Sequence, residues 1–398
     1  MKAFGLGAVG AAVLAGTMVA VPAPAQTVKV GVIMSYSGFL AAAGEEMDKG
    51  MALYFKLHEK DLPPGVKIEL IRRDDTSEAE VGKRLAQELI TREHVNILAG
   101  VVASPVAAAI APMTAEAKVP LVITNAAGVA IPRISPYVVR VSFTLWQSGY
   151  PLGTWAAEQG WKKAFTAVSD FIPGHDTEQA FTKSFTATGG TIVGAIRFSP
   201  ASPDFPPVVQ RIKDAKPDVT LIWVPAGTQA TTMMKTIRDL KLREAGVAIV
   251  STQDLVPDEE LPNMGDTPVG LVTAGNYSAA GDRPANKAFL AAINQEYQGK
   301  FIPDFTTVGG WDGMAAIFDL VKATKGKFTG DEAIKFLSNW KNPDSPRGPI
   351  AVDPATRDIV QNIYIRRTEM KDGKLANVEF ATIPNVKDPW KELNPPKK

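Results

Sequence analysis

Short apolar runs alternate with amphipathic stretches from residue 28 to residue 251, and that rhythm leaves few folds open. Val28–Met34 reads as a strand, and Gly38–Gly44 as a loop of small residues. The helix that follows carries Met47, Met51, Tyr54, Phe55 and His58 at three- and four-residue steps. Val66–Ile71 alternates as a strand should. Ser77-x-x-Glu80 matches a capping box ahead of a helix with Val81, Leu85 and Leu89 on one face. Strand Val95–Ala99, helix Ser104–Ala117 and strand Val119–Thr124 complete the first run. The rhythm resumes after Trp146 with a helix to Gly160, strand Ala164–Val168, a helix from about Asp176 and strand Thr191–Phe198. Helix Val208–Ala215, strand Val219–Val224, helix Thr228–Leu242 and strand Val247–Ser251 follow. Strands joined through helices imply βαβ units, hence an α/β protein with parallel sheets covered on both faces. There are too many units for one short open sheet, so two sheets in two lobes are expected, with a single barrel as the rival.

The C-terminal third has a different texture. Helices are expected over Pro284–Gln298, Val308–Thr324 and Asp331–Trp340, then a hairpin joining Ile359–Arg367 to Leu375–Phe380 through an Asp372-Gly373 turn. Beyond Pro384 the proline- and lysine-rich tail is expected to wrap or fray.

Composition removes whole classes of chemistry. The 398 residues hold no cysteine, which excludes disulfides, thiolate metal sites and cysteine nucleophiles. The three histidines, His58, His94 and His175, form no metal-binding pair by spacing, and no metal or cofactor is expected. Lys plus Arg number 43 against 42 Asp plus Glu, so nothing points to nucleic acid or an anionic membrane. Residues 1–25 read as a signal peptide: Lys2, an apolar Ala3–Val21 stretch, and Ala23-Pro24-Ala25 before a mature start at Gln26. A transmembrane anchor competes, but no basic stop-transfer cluster follows. The Gly5-Leu6-Gly7-Ala8-Val9-Gly10 match to GxGxxG lies in this segment without a preceding strand, and is dismissed as a dinucleotide site. No GxSxG elbow or phosphate loop is present. Asp74-Asp75 sits in a charged strand end, so no catalysis is expected.

Four stretches carry a family resemblance: Val30-Gly31-Val32-Ile33…Ser37-Gly38…Gly44, Asp74-Asp75, Gly100-Val101-Val102-Ala103-Ser104, and Val122-Ile123-Thr124-Asn125-Ala126-Ala127. In order and spacing they resemble the leucine/isoleucine/valine-binding group of periplasmic solute-binding proteins, the receptors of ABC importers. The resemblance implies a type I periplasmic binding fold with two doubly wound lobes joined by three crossings. Lobe one then comprises 26–145 and 277–349, and lobe two 146–276 and 350–398. Hinge strands are expected near Phe143–Gln147, Ala274–Tyr277 and Gly348–Val352. It also implies a small-molecule ligand trapped between the lobes, an inner-membrane ABC permease as partner, a periplasmic location and a monomer. A receptor's ligand-sensing domain shares the fold, but would continue past Lys398 into a further segment.

Candidate site residues follow partly from chemistry. Ser104 suits an N-cap and Pro105 the first helical position, so free amides and the helix dipole favour a carboxylate there. The competing reading is a plain cap; in the family, the serine here holds the ligand carboxylate. Asn125, Ala126 and Ala127 form a small-residue loop that lets a ligand reach the backbone. Two departures from amino-acid binders stand out: Gly128 replaces a threonine, and either Gln253 or Asp254 takes the place of the acid that pairs with an α-ammonium. Phe39, Tyr150, Phe171, Ile172 and Trp311 are cleft candidates beside ordinary packing roles, and Thr228 is a second helix start facing the cleft. As a set they describe a flat apolar ligand with one carboxylate, aromatic acids of the benzoate type ahead of branched-chain amino acids.

Overall fold

A computed structural model describes residues 1–2 and 26–395; the expected leader otherwise lies outside the described residues. The chain runs β1 (Gln26–Met34), α1 (Ala41–His58), β2 (Val66–Asp74), α2 (Ala79–Thr91), β3 (Ile97–Gly100), α3 (Ser104–Ala117), β4 (Leu121–Ile123), α4 (Ile131–Ile134) and β5 (Val138–Arg140). It continues through α5 (Leu145–Glu158), β6 (Lys163–Ser169), α6 (Ile172–Ala187), β7 (Thr191–Phe198), α7 (Phe205–Ala215), β8 (Val219–Trp223), α8 (Thr228–Asp239), β9 (Ala248–Thr252) and β10 (Val272–Gly275). Helices α9 (Pro284–Tyr297), α10 (Phe305–Thr324) and α11 (Gly330–Leu337) precede β11 (Lys341–Asn342), β12 (Ile350–Asp353), β13 (Asp358–Lys371), β14 (Lys374–Val386) and α12 (Pro389–Leu393).

Two sheets result, as the alternation implies, and the barrel alternative is excluded. The first is a parallel five-stranded sheet in the order β2-β1-β3-β4-β5. The second repeats that order with β7-β6-β8-β9-β10, then adds β13 antiparallel to β10, with β12, β11 and β14 beyond it. Each strand's helix returns it to the same direction, so both sheets aim their carboxyl ends at the space between them. Helices α10 and α11 come late in sequence yet pack into the core of the first sheet, with Met314, Ile317, Phe318 and Leu337 against Val30, Val32 and Ile97. Asp372 (φ 52°) and Gly373 (φ 76°) make the left-handed turn expected of the β13–β14 hairpin.

Local corrections share a cause, which is that the tertiary contact outranks the local signal. Helix α1 begins at Ala41, inside the expected Gly38–Gly44 loop. Gly44 is helical and lies on the end of β1, where a Cβ would stand 1.9 Å from the Ser35 carbonyl oxygen. Helix α6 begins at Ile172 rather than near Asp176, and a Cβ on Gly174 would likewise stand 1.9 Å from the Ser169 carbonyl oxygen. These glycines mark close approach of helix to strand, not a loop. The capping box at Ser77 does not form: Glu78 is the N-cap of α2, and the Ser77 hydroxyl accepts from the Leu40 amide (3.2 Å) and donates to Ser37 O (3.1 Å). The stretch Phe143–Gln147, expected as a hinge strand, instead holds the N-cap Thr144 and first turn of α5, with a complete Thr144–Gln147 capping box. The tail wraps rather than frays as far as it is described: Lys391 of α12 is buried against Asp358, and Arg133 stacks on Trp390 at 4.5 Å.

Candidate functional site

Between the sheets lies a pocket with about 430 Å³ of empty space, part of it open to solvent. Its walls come from the carboxyl ends of β1, β3, β4, β5, β6, β8 and β9 and the segments that follow them, and from the start of α10. Phe143, Phe171, Trp223 and Phe305 line it, with Phe143 and Phe305 edge to face at 5.4 Å and Phe171 and Trp223 tilted at 5.6 Å. Such rings present broad apolar faces to a flat guest.

Polar groups stand at the two sides. On the first-sheet side, Ala103 rather than Ser104 is the N-cap of α3, and Ser104 occupies its first turn with Pro105. An alanine offers no capping oxygen, so the first turn has no side-chain cap. The Ser104 hydroxyl turns to the neighbouring loop and accepts from the Gly128 amide at 3.1 Å. Its own hydrogen stays available to an acceptor in the pocket. Asn125 donates to Val102 O (3.1 Å), and its Oδ1 is buried without a partner. Behind the loop the buried Arg140 guanidinium donates to Ala126 O (2.8 Å) and Gly128 O (2.9 Å), and pairs with Asp358 at 2.6 Å. That fixes the loop backbone and brings positive charge to this side.

On the second-sheet side, Asp254 lines the pocket and Gln253 does not. Gln253 is buried in the turn after β9, donating to Asn276 Oδ1 (2.7 Å) and accepting from the Asn276 amide (2.9 Å). Asp254 Oδ2 accepts from the Thr252 hydroxyl at 2.5 Å. Burial pushes its pKa up to about 6, opposed by the Thr252 bond, the nearby Trp223 indole and Arg366. An acid, Asp254, therefore lines the pocket on this side.

Ser104, Asn125, Ala127, Phe171 and Asp254 come together as pocket walls. Ala126 is buried beneath the loop, its carbonyl spent on Arg140. Phe39 is not in the pocket wall but meets Phe171 edge to face at 5.9 Å. Ile172, Thr228, Tyr150 and Trp311 are not in the pocket wall. Tyr150 stacks on Trp146 at 6.2 Å, and Trp311 packs on Tyr54 and Phe289. Trp223, Phe143, Pro225 and Phe305 line the wall and escaped the sequence reading. Trp223 and Pro225 had a usable signal, their place at the end of strand β8; Phe305 had none. Among the described residues no group of three or more acidic or histidine side chains is placed to hold a metal, and no helix is long and apolar enough to cross a membrane.

Two sheets whose parallel portions share one strand order, facing each other across a pocket at their carboxyl ends, define a two-lobed binding protein. The chain belongs to the periplasmic binding protein family, whose model matches residues 27–374. It is a solute-binding protein of the ABC-transporter type. A Leu/Ile/Val-binding protein homolog of Brucella melitensis is 36% identical over 375 residues, covering 94% of this chain and 96% of its own. A solute-binding protein of an ABC transporter from Rhodopseudomonas palustris BisB5, solved with 3,4-dihydroxybenzoic acid, is 46% identical with a TM-score of 0.88, covering 92% of this chain and 99% of that one. A second from R. palustris, solved with 4-hydroxybenzoate, is 40% identical with a TM-score of 0.86, over 91% and 98% of the two chains.

Proposed function

We propose that this protein captures an aromatic carboxylate of the benzoate type between its lobes and delivers it to an ABC permease. The observation that carries the reading is the aromatic box of Phe143, Phe171, Trp223 and Phe305 with an uncapped helix start and the Ser104 hydroxyl at one side. Two relatives solved with hydroxylated benzoates support it. The lobes are 26–145 with 277–349 and 146–276 with 350–398, and the chain acts as a monomer after a leader of residues 1–25 is removed on export to the periplasm. The ligand docks first at Ser104 and Ala127, then Phe171 and Asp254 close over it, excluding water.

A branched-chain amino acid is the second reading, favoured by Asp254, which is placed to pair with an ammonium, and by the naming of the Brucella relative. A thermal-shift screen of the mature protein against benzoates and amino acids separates the two: aromatic acids raise the melting temperature, and stabilisation by leucine or valine alone overturns the proposal. Ser104→Ala should weaken aromatic-acid binding by about 1–3 kcal/mol, the usual worth of a hydrogen bond to a charge. An unchanged dissociation constant removes Ser104 from the head-group site.

A further inference from the structure

Helix α6 packs on the second sheet through Phe181 and Phe185, yet its first turns reach across to the first-sheet loop beside Ser104. A Cβ on Gly128 would stand 2.8 Å from Ile172 Cγ2 and 3.3 Å from Ser104 Cβ. Four residues along α6, the buried Asp176 carboxylate accepts from the Val129 amide through Oδ2 at 3.0 Å. The same peptide unit is held at its other end, where Arg140 donates to the Gly128 carbonyl at 2.9 Å. The peptide plane between Gly128 and Val129 is therefore pinned from both sides: Arg140 comes from the first sheet and Asp176 from the helix of the second. The next amide back, that of Gly128, donates to the Ser104 hydroxyl at 3.1 Å. Arg140 also lies near enough to offset the Asp176 charge, which an incoming carboxylate would otherwise meet.

We propose that Asp176 is a positioning residue for the carboxylate site: by fixing the Gly128–Val129 peptide from the second-sheet side, it sets the Ser104 hydroxyl for the head group. This rests on the Ser104 head-group reading above and adds to it a means by which closure tightens the grip. Glycine is the residue with most backbone freedom, so Gly128 needs an outside hold to present its amide in one direction. With α6 drawn away, the Val129 N–H loses its acceptor and the peptide plane is free to turn about Gly128. The Ser104 oxygen then loses a fixed donor, and its own hydrogen no longer has one direction. A group already ordered for its partner binds more tightly than one that must be ordered on binding. The head-group site is thus complete only when the two sides of the cleft are together.

The test is calorimetric titration of the mature protein with 4-hydroxybenzoate, and in parallel with leucine, in wild type, Asp176→Ala, Asp176→Asn, Ser104→Ala and the Ser104→Ala/Asp176→Ala pair. Cooperative thermal unfolding of each variant serves as the folding control. Asp176→Ala should weaken binding about 5- to 30-fold, the usual worth of a hydrogen bond to a charged group. Asp176→Asn, whose side-chain oxygen still accepts from Val129, should restore most of that loss. In the Ser104→Ala background, removing Asp176 should cost no more than about twofold, because its effect passes through that hydroxyl. An equal loss in both backgrounds overturns the proposal, since support of the fold alone does not depend on Ser104. Full affinity in Asp176→Ala, with binding weakened in Ser104→Ala, also overturns it and leaves the head-group reading standing. No effect of Ser104→Ala overturns both. Binding of leucine without 4-hydroxybenzoate overturns the aromatic-acid reading, and the same cycle run on leucine, which also carries a carboxylate, decides the role of Asp176.

Discussion

Glu46 shows how one buried side chain ties stability to pH. It sits in α1 at 8% exposure, near Asp304, with Lys49 at 3.0 Å as an ion-pair partner. Burial first, then the Asp304 charge, raises its pKa from 4.5 to about 8 against the pull of Lys49. A raised acid pKa means the folded state holds the proton more tightly than the unfolded one. The Glu46 contribution is thus most favourable near pH 4, declines as pH rises, and reaches its full penalty above about pH 8. Asp176 (about 6), Asp258 (about 7) and Asp388 (about 7) are raised by burial and act in the same sense. Lys391, lowered to about 6, acts oppositely above that pH. Glu46→Gln should therefore melt several degrees higher than wild type at pH 8.5, with the gap closing near pH 5. A gap of equal size at both pH values would remove ionisation as its cause.

At the scale of elements, the pairing of α1 with α10 holds the first lobe together across a long stretch of chain. A Cβ on Gly50 would lie 2.0 Å from the Thr307 carbonyl oxygen, and one on Gly310 would lie 2.0 Å from that of Met47. These two glycines let the helix backbones approach, so the helices touch main chain to main chain. Gly310→Ala sets two effects in opposition. Helix propensity alone favours alanine by about 1 kcal/mol. Overpacking against a backbone that cannot yield costs about 1–3 kcal/mol or more. Packing should win, and thermal melting should show a lower midpoint; a higher one would mean the helices can separate without loss. The same elements show what was legible along the chain. Helix α3 and strand β7 have their expected boundaries, because their periodicity runs uninterrupted between clear stops. The starts of α1 and α6 were misplaced, because a glycine that admits a neighbouring strand looks the same in sequence as one that opens a loop.

At the scale of the whole molecule, a chain of buried amides joins the three crossings between the sheets. Gln253 bonds Asn276, Asn276 Nδ2 donates to Gln361 (3.1 Å), and Gln361 Nε2 donates to Gln147 (3.0 Å). Arg347 enters the same network at Gln361 (2.9 Å), donates to Ser142 O (2.5 Å), and pairs with Asp312 at 2.9 Å. Every member is almost fully buried, so the network costs little only while complete. Arg347→Met would strand the Asp312 charge, and breaking a buried pair from one side costs about 3–5 kcal/mol. A large fall in melting temperature is expected, and its restoration in Arg347→Met/Asp312→Leu would show that the stranded charge, not lost packing, is responsible. Gln253 apart, none of these residues was a site candidate in the sequence, since a buried glutamine or asparagine carries no local signature.

The sequence by itself determined the alternation, and with it two parallel sheets whose carboxyl ends must face a ligand; it also placed Ser104, Asn125, Ala127 and Phe171, each just past the end of a strand. Periodicity is a local property, and it survives folding because each strand and helix buries the face its own residues define. Only the tertiary structure decided between Gln253 and Asp254, drew Trp223 and Phe305 into the wall, and sent Tyr150 and Trp311 elsewhere. A pocket is made where loops from distant parts of the chain meet, and which side of a loop faces the pocket depends on what the other side is bonded to. For Gln253 that partner is Asn276, beyond the end of the neighbouring strand β10.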